Sequence, residues 1–198
     1  MSAKDRRTAL IWIYLGSNPT ERLETIGSID GLRLELIVVG NAEVQKAAEL
    51  FAFSRPDISL KTVDSVSMET IWQAVPADAD GLVYWMDDEK LVNREFPLEM
   101  VAPVRGEGPA PKHQLHYWDG HAIAVARPLA EALTIRDMNI RGGSLMPLLS
   151  EIIDRGTRLP GERLKLRFSP VERFAAIATE HLAARGRSGI FWVESFRS

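Results

Sequence analysis

The chain has 198 residues, of which 45% are hydrophobic and 26% charged, a composition typical of a globular protein with one sizeable domain or two small ones. Its net charge of −3 gives no overall electrostatic case for nucleic-acid binding, and the absence of cysteine excludes a thiol nucleophile, a Cys-ligated zinc and a disulfide. No apolar run is long enough to span a bilayer, and the N-terminal residues do not have the pattern of a secretory signal. We therefore expect a cytoplasmic protein without a transmembrane segment.

Strand and helix patterns alternate over the first half of the chain. Apolar runs predict strands at residues 8–15, 32–39, 58–63 and 81–86. Amphipathic stretches predict helices between them, at residues 19–27 (with Asn18 as N-cap), 42–53 and 68–74. Near-continuous apolar strands separated by helices indicate a parallel sheet covered on both faces. We predict an α/β fold, a single Rossmann-like three-layer domain with a central, mostly parallel sheet.

The pattern after residue 90 is less regular. Residues 98–104 have strand character, residues 105–111 are rich in Gly and Pro, and residues 115–126 predict a strand pair or one bent strand. Further elements are predicted as helices at residues 128–133, 145–154 and after the capping box at 169–172, and as a strand at residues 190–193. Residues 105–111 are the only linker-like stretch, which favours one domain over residues 1–198.

Three carboxylates, Asp87, Asp88 and Glu89, directly follow the fourth predicted strand. Parallel strands bring their carboxyl ends to one edge of the sheet, where open α/β sheets bind ligands, and the turns at Gly16-Ser17 and Gly40-Asn41 should meet the same edge. Hard oxygen ligands of this kind suit Mg²⁺ or Mn²⁺. The alternative is a solvated acidic turn.

A second group of polar residues contains three of the four histidines, His113, His116 and His121, together with Asp119. If this segment is extended, Asp119 and His121 share one face and could ligate a metal or act as a base and its partner. The alternatives are an exposed loop for His113 and His116 and a hydrogen-bonded core-edge residue for His121. The chain lacks the motifs of P-loop NTPases, dinucleotide oxidoreductases and α/β-hydrolases.

The order of these features resembles the A-type glycosyltransferases, particularly the family-two nucleotide-sugar enzymes. In that family a first strand runs into a nucleotide-contacting loop, matched here by residues 13–18. A second strand ends in an acidic turn over the base, matched in place by residues 38–41, although this chain has Gly40-Asn41 where the family prefers acids. A later strand ends in an Asp-x-Asp type metal motif, matched by residues 83–89, and an aromatic, glycine-containing segment follows, matched by residues 118–122. The resemblance implies an A-type glycosyltransferase fold with a nucleotide-binding half at about residues 8–90 and an acceptor-side half at about residues 91–198.

The same resemblance implies the chemistry of the site. The residues expected to contact the nucleotide are Leu15, Gly16, Ser17, Asn41 and Asp87. A Mn²⁺ or Mg²⁺ ion, ligated by Asp87 and Glu89 with His121 as a third candidate ligand, would bridge the diphosphate of a nucleotide-sugar donor.

The acceptor hydroxyl needs a base, and here the chain departs from the family. The usual Glu-Asp pair is replaced by Gly143-Ser144, so Asp119 is the predicted base, while Glu151, in a predicted helix, is expected to be solvated or salt-bridged. Two other classes remain open: a nucleotide- or partner-binding protein without catalysis, and a metal-dependent phosphoryl-transfer or hydrolytic enzyme that uses Asp87 and His121. The identities of the sugar, the base and the acceptor do not follow from the sequence.

Overall fold

The computed structural model of the protein describes residues 7–28, 33–87, 114–118, 121–140, 145–156, 165–169 and 192–193. Its strands are β1 (Arg7–Tyr14), β2 (Arg33–Val39), β3 (Ile58–Val63), β4 (Ala79–Asp87), β5 (Gln114–Trp118), β6 (Ala122–Ala126), β7 (Lys165–Ser169) and β8 (Trp192–Val193). Its helices are α1 (Thr20–Gly27), α2 (Ala42–Phe53), α3 (Met68–Ala74), α4 (Arg127–Ala132) and α5 (Met146–Gly156), with a 3₁₀ turn at Ile135–Asp137. The predicted strand at residues 98–104 and the predicted helix after residue 169 lie outside these ranges.

The described strands form one sheet in the order β3-β2-β1-β4-β6-β5-β7-β8. Neighbouring strands are parallel except at β6, which runs antiparallel to both β4 and β5. The four strands predicted in the first half of the chain are adjacent here as β1 to β4, and the three predicted helices connect them. The prediction of an α/β fold with a central, mostly parallel sheet is confirmed.

Helices cover both faces of the sheet, and each face has its own apolar core. On one face α1 and α2 contribute residues such as Leu23 and Val44 to a core with alternate residues of β1, β2 and β4. On the other face α3, α4 and α5 pack against the remaining strand residues, for example through Ile71 and Leu148. Because strand side chains alternate between faces, continuous apolar strands supply both cores at once.

The connections reveal where the chain changes direction across the sheet. From β1 it moves outward to β2 and β3 through α1 and α2 on one face, and it then returns through α3 on the other face to place β4 on the opposite side of β1. β1 and β4 therefore flank the topological switch point of the sheet. In open α/β sheets, ligands bind in the crevice outside the carboxyl ends of the strands at this point.

A local signal explains the start of α2 but not that of α1. Asn41 is the N-cap of α2, and its side chain accepts a hydrogen bond of 3.0 Å from the Val44 backbone N–H. The predicted N-cap of α1 is wrong by one residue: Pro19 occupies that position with helical dihedral angles and provides no side-chain cap. The Asn18 carbonyl instead accepts a hydrogen bond of 2.8 Å from the Tyr14 hydroxyl, which ties the loop back to β1.

The second half of the sheet contains one element that the sequence pattern did not predict. β5 and β6 form the predicted strand pair, whereas β7 falls in a basic stretch that we did not predict as a strand. β7 pairs in parallel with β5, from Gln114↔Lys165 to Trp118↔Ser169. Within the ranges described above, no helix has the length and hydrophobicity needed to cross a membrane.

Candidate site at the carboxyl edge of the sheet

The loop after β1 and the end of β4 lie side by side at the switch point. Tyr14 pairs with Asp87 in the parallel register, and the Leu15 N–H donates a hydrogen bond of 2.9 Å to the Asp87 carbonyl. Leu15 and Ser17 are exposed and Gly16 is partly exposed, so this loop faces solvent directly beside the strand end. The structure thus brings together four of the residues predicted to contact the nucleotide.

The Asp87 carboxylate is buried and forms an ion pair with Arg22. The distance from Arg22 Nε to Asp87 Oδ2 is 3.0 Å, and the two side chains are 12% and 3% exposed. The contact is electrostatic rather than an aligned hydrogen bond. A guanidinium and a carboxylate therefore share the switch point, one from the first turn of α1 and the other from the end of β4.

Arg22 was not among the site residues predicted from the sequence. Its partner is distant along the chain, so no local motif connects the two residues. One signal was nevertheless available, because Arg22 is the third residue of α1 and a cation in the first turn opposes the helix dipole. Asp87 lies 3.0 Å from this cation and offsets that placement.

The end of β2 lies at the same edge and is held in place by side chains. Gln45 Nε2 donates to the Gly40 carbonyl at 2.9 Å and to the Val63 carbonyl at 3.3 Å, which connects the ends of β2 and β3. Gly40 has no room for a side chain, since a Cβ there would lie 2.9 Å from Val44 Cγ1. Asn41 is exposed and caps α2; a nucleotide contact by Asn41 stays a prediction.

His121 lies next to β4, in a turn rather than in an extended segment. Trp118 pairs with Ala122, so the chain reverses direction between them, and the His121 carbonyl accepts a hydrogen bond of 2.8 Å from the Met86 N–H. His121 is therefore not part of an extended strand, and its placement relative to Asp119 lies outside the described residues. His121 itself is buried, as its core-edge alternative requires.

Several predicted site residues lie outside the described ranges. These are Asp119, Glu89, Asp88, His113 and the Gly143-Ser144 pair. Glu151 is described, and its Oε1 lies 2.6 Å from Arg155 NH2 in an i,i+4 pair, which confirms the prediction that it is salt-bridged.

The residues of the described ranges do not form a complete metal site. These ranges contain no group of three or more His, Cys, Asp or Glu side chains placed to hold a metal ion. Asp87 is a hard oxygen donor of the right type, but Arg22 already balances its charge. A complete metal site would need Glu89 or another residue outside these ranges.

A layer of aromatic rings lies beneath the edge, on the α1 and α2 side of the sheet. The Trp12 ring centroid is 4.9 Å from that of Tyr14 and 6.0 Å from that of Trp85, the latter pair being stacked. All three side chains are buried, so they support the ends of β1 and β4 and do not offer a stacking surface to a ligand.

Comparisons with known proteins leave the family open. No protein-family model matches the chain, and no curated protein matches it. One solved structure is similar, described as the crystal structure of Rv0371C in complex with manganese from Mycobacterium tuberculosis H37Rv, with 15% sequence identity and a TM-score of 0.47 over 82% of this chain and 86% of that one. At that identity and TM-score, the manganese of the other protein has no bearing on the chemistry of this site.

Proposed function

We propose that this protein is a glycosyltransferase, which binds a nucleotide-sugar donor at the carboxyl edge of the sheet and transfers the sugar to an acceptor hydroxyl. The observation that carries the proposal is the pairing of β1 with β4 at the switch point, with a solvent-facing loop on one strand end and an acidic residue on the other. The sequence resemblance to A-type glycosyltransferases supports the choice of donor.

In this proposal the described residues bind and orient the donor. The loop from Leu15 to Ser17 supplies backbone groups to the nucleotide, and Asp87 fixes the position of the diphosphate end of the site. A divalent ion held by Asp87 and Glu89 would neutralise charge on the departing nucleoside diphosphate. Asp119 would take the proton of the acceptor hydroxyl, a role that rests on the sequence alone.

A thermal-shift screen with ADP, GDP, CDP, UDP and their common sugar conjugates, with and without Mn²⁺, tests donor binding. A ligand that binds only the folded state raises the melting temperature, by RT ln(1 + [L]/Kd) in free energy. We expect one base to be preferred and the shift to depend on Asp87. Release of the nucleoside diphosphate from the preferred conjugate then tests transfer or hydrolysis.

Asp87→Asn is the informative variant, and Asp57→Asn is its matched control, since Asp57 is an exposed acid that also pairs with an arginine. The proposal requires that Asp87→Asn abolish the ligand-induced shift while Asp57→Asn preserves it. If none of the nucleotides shifts the melting temperature of the wild-type protein, the proposal is wrong.

A second candidate is nucleotide binding without transfer. It is favoured by the ion pair, because Arg22 compensates the one carboxylate that the described part of the chain places at the switch point. Saturable nucleotide binding without turnover of any sugar conjugate would support this candidate over the first. Release of inorganic phosphate from phosphoesters would instead support the phosphoryl-transfer alternative.

A further inference from the structure

A cavity of about 250 Å³ lies between α3, α4 and the 3₁₀ turn, away from the carboxyl edge of the sheet. It is lined by Trp72, Ala130, Glu131, Thr134 and Arg136. α4 begins beside the amino end of β4, where Ala126 pairs with Gly81, whereas Asp87 is the last residue of that strand. The cavity is therefore separate from the candidate donor site.

Thr134 has a strained backbone conformation at the wall of this cavity. Its φ of 52° lies in the left-handed region, which a β-branched residue rarely adopts. The Thr134 N–H donates to the Glu131 carbonyl at 2.9 Å, and the Thr134 carbonyl accepts from the Asp137 N–H at 3.0 Å. Arg155 NH1 donates to the same carbonyl at 2.9 Å. Strained residues that their surroundings hold in this way are concentrated at ligand-binding and catalytic sites, so Thr134 marks the cavity as a candidate site.

The Trp72 ring provides an apolar wall. Trp72 is partly buried against the core, and the Arg127 guanidinium lies over the ring, with its Cζ 5.5 Å from the ring centroid. Arg127 is itself fixed, because its Nε donates to Glu131 Oε1 at 2.7 Å and its NH1 donates to the Pro76 carbonyl. These contacts restrict the ring before any ligand arrives, and preformed apolar surface is characteristic of small-molecule sites.

Two side chains of opposite charge also line the cavity. Glu131 uses Oε1 for Arg127, and the described residues provide no donor for its Oε2. Arg136 lies beside the exposed Asp137, with 3.5 Å from Arg136 Nε to Asp137 Oδ1, so most of its N–H donors are available to a ligand. A lone anion is repelled by Glu131 and a lone cation by Arg136, whereas a molecule that carries both charges is attracted to each.

We propose that this cavity binds a small zwitterion of the class of a free α-amino acid with an apolar side chain. Arg136 binds the carboxylate with its planar set of N–H donors, Glu131 accepts from the ammonium group, and Trp72 packs against the side chain. The Thr134 hydroxyl is a further hydrogen-bonding group. The volume of about 250 Å³ suits such a molecule, because drug-sized ligands need roughly 300–1,000 Å³. This site does not depend on the proposed function.

Calorimetry with L-phenylalanine, phenethylamine and 3-phenylpropanoate tests the need for both charges, because the two analogues lack the carboxylate and the ammonium group respectively. L-leucine with isopentylamine and 4-methylpentanoate forms a second set with a smaller side chain. We expect the amino acid of at least one set to bind with a Kd of about 1 mM or lower, and each of its analogues to bind about tenfold more weakly. Failure of both amino acids to bind, or an analogue that binds as tightly as its amino acid, overturns the proposal.

Two variants assign the charges of the ligand to their partners. Arg136→Gln should weaken binding of the amino acid about tenfold and leave the amine, which has no carboxylate, unchanged. Glu131→Gln should weaken binding of the amino acid but not of the carboxylic acid, which has no ammonium group. Asp57→Asn removes an exposed charge that does not line the cavity and should change no affinity. A cavity variant that weakens the amino acid and both analogues alike contradicts the assignment.

The side chains of Glu131 and Arg136 are 55% and 57% exposed, so both variants should fold, and the melting temperature of each free variant checks this. Thr134→Gly provides a second measurement. Glycine adopts the left-handed conformation without strain but lacks the hydroxyl, so the melting temperature of the free protein should not fall while the affinity for the amino acid does. Unchanged affinity in Thr134→Gly would exclude Thr134 from the site.

Discussion

Arginines that contact the C-terminal end of a helix differ from the arginine in the first turn of α1 in the groups that they bind. Arg55, Arg127 and Arg155 each pair with a nearby acid and also donate to a backbone carbonyl at or just beyond the C-terminal end of a helix. Those carbonyls belong to Gly27 at the end of α1, Pro76 beyond α3, and Leu133 and Thr134 beyond α4. A cation there satisfies orphan carbonyls and matches the helix dipole.

Arg22 stands at the opposite end of a helix and holds a carboxylate from another strand. Its position gains nothing from the dipole, and its partner is buried rather than exposed. The contrast teaches that the first three arginines hold the ends of helices, whereas Arg22 holds a buried carboxylate at the carboxyl edge of the sheet. Variants at each position test that distinction.

The largest expected effect is that of Arg22→Ala. It removes the cation that lies 3.0 Å from the buried Asp87 carboxylate, so the free energy of unfolding should fall by about 3–5 kcal/mol. Arg55→Ala is the comparison, because its acid partner Asp57 is exposed and stays hydrated, and it should cost about 1–2 kcal/mol. Urea titration at neutral pH measures both losses of stability. Equal losses would show that the different burial of Asp87 and Asp57 does not determine the cost of removing the arginine.

Much of the site's framework is predictable from the sequence, because it depends on local patterns. The predicted strands and the helices between them place the ends of β1, β2 and β4 at one edge before any contact is known. The strand pattern over residues 115–126 likewise predicts either the strand pair that β5 and β6 form or one bent strand, and Asp119-Gly120 is a dipeptide typical of hairpins.

What the sequence does not predict are pairings between distant segments. The ion pair of Arg22 with Asp87 requires the order of strands to be known, because it depends on β4 returning to lie beside β1. β7 is a similar case. Its sequence, Lys-Leu-Arg-Phe-Ser, has only two apolar residues, and its place in the sheet comes from pairing with β5.

An intermediate effect is expected for Arg155→Ala. Arg155 NH1 donates to the carbonyls of Leu133 at 3.1 Å and Thr134 at 2.9 Å, and Thr134 adopts a left-handed conformation with φ of 52°. Loss of these charged donors should lower the free energy of unfolding by about 1.5–3 kcal/mol. Arg136→Ala, whose exposed pair with Asp137 spans 3.5 Å, should change it by less than about 0.5 kcal/mol.

A smaller effect distinguishes two tyrosines on neighbouring strands. The Tyr14 hydroxyl donates to the Asn18 carbonyl at 2.8 Å, whereas the Tyr84 hydroxyl is buried without a hydrogen-bond partner among the described residues. Tyr14→Phe should therefore destabilise the fold by about 1 kcal/mol, and Tyr84→Phe should leave stability unchanged or raise it by about 1 kcal/mol. A loss in Tyr84→Phe equal to that in Tyr14→Phe would contradict this difference.

Alkaline titration provides an independent check on Tyr84. Burial raises the pKa of Tyr84 far above its ordinary value, so above about pH 10 the unfolded chain releases this proton while the folded chain retains it. The contribution is fully present below the unfolded pKa and is lost as the pH rises toward the folded one. The free energy of unfolding should decline less steeply above about pH 10 in Tyr84→Phe than in the wild type.

The smallest expected effect concerns Asp57, the exposed counterpart of Asp87. The hydrogen bonds from Arg55, 2.9 Å from Nε to Oδ1 and 2.7 Å from NH2 to Oδ2, hold the pKa of Asp57 below its ordinary value. A lowered pKa contributes stability that is present above the unfolded value and is lost as the pH falls through the folded one. Asp57→Asn should therefore reduce slightly the acid-induced loss of stability below about pH 4.

Because the pair is exposed, the difference from the wild type should shrink in about 1 M NaCl, where charges are screened beyond roughly 3 Å. Urea midpoints at low pH, with and without salt, measure it, and a difference that survives high salt would show that Asp57 is less accessible to ions than its exposure implies.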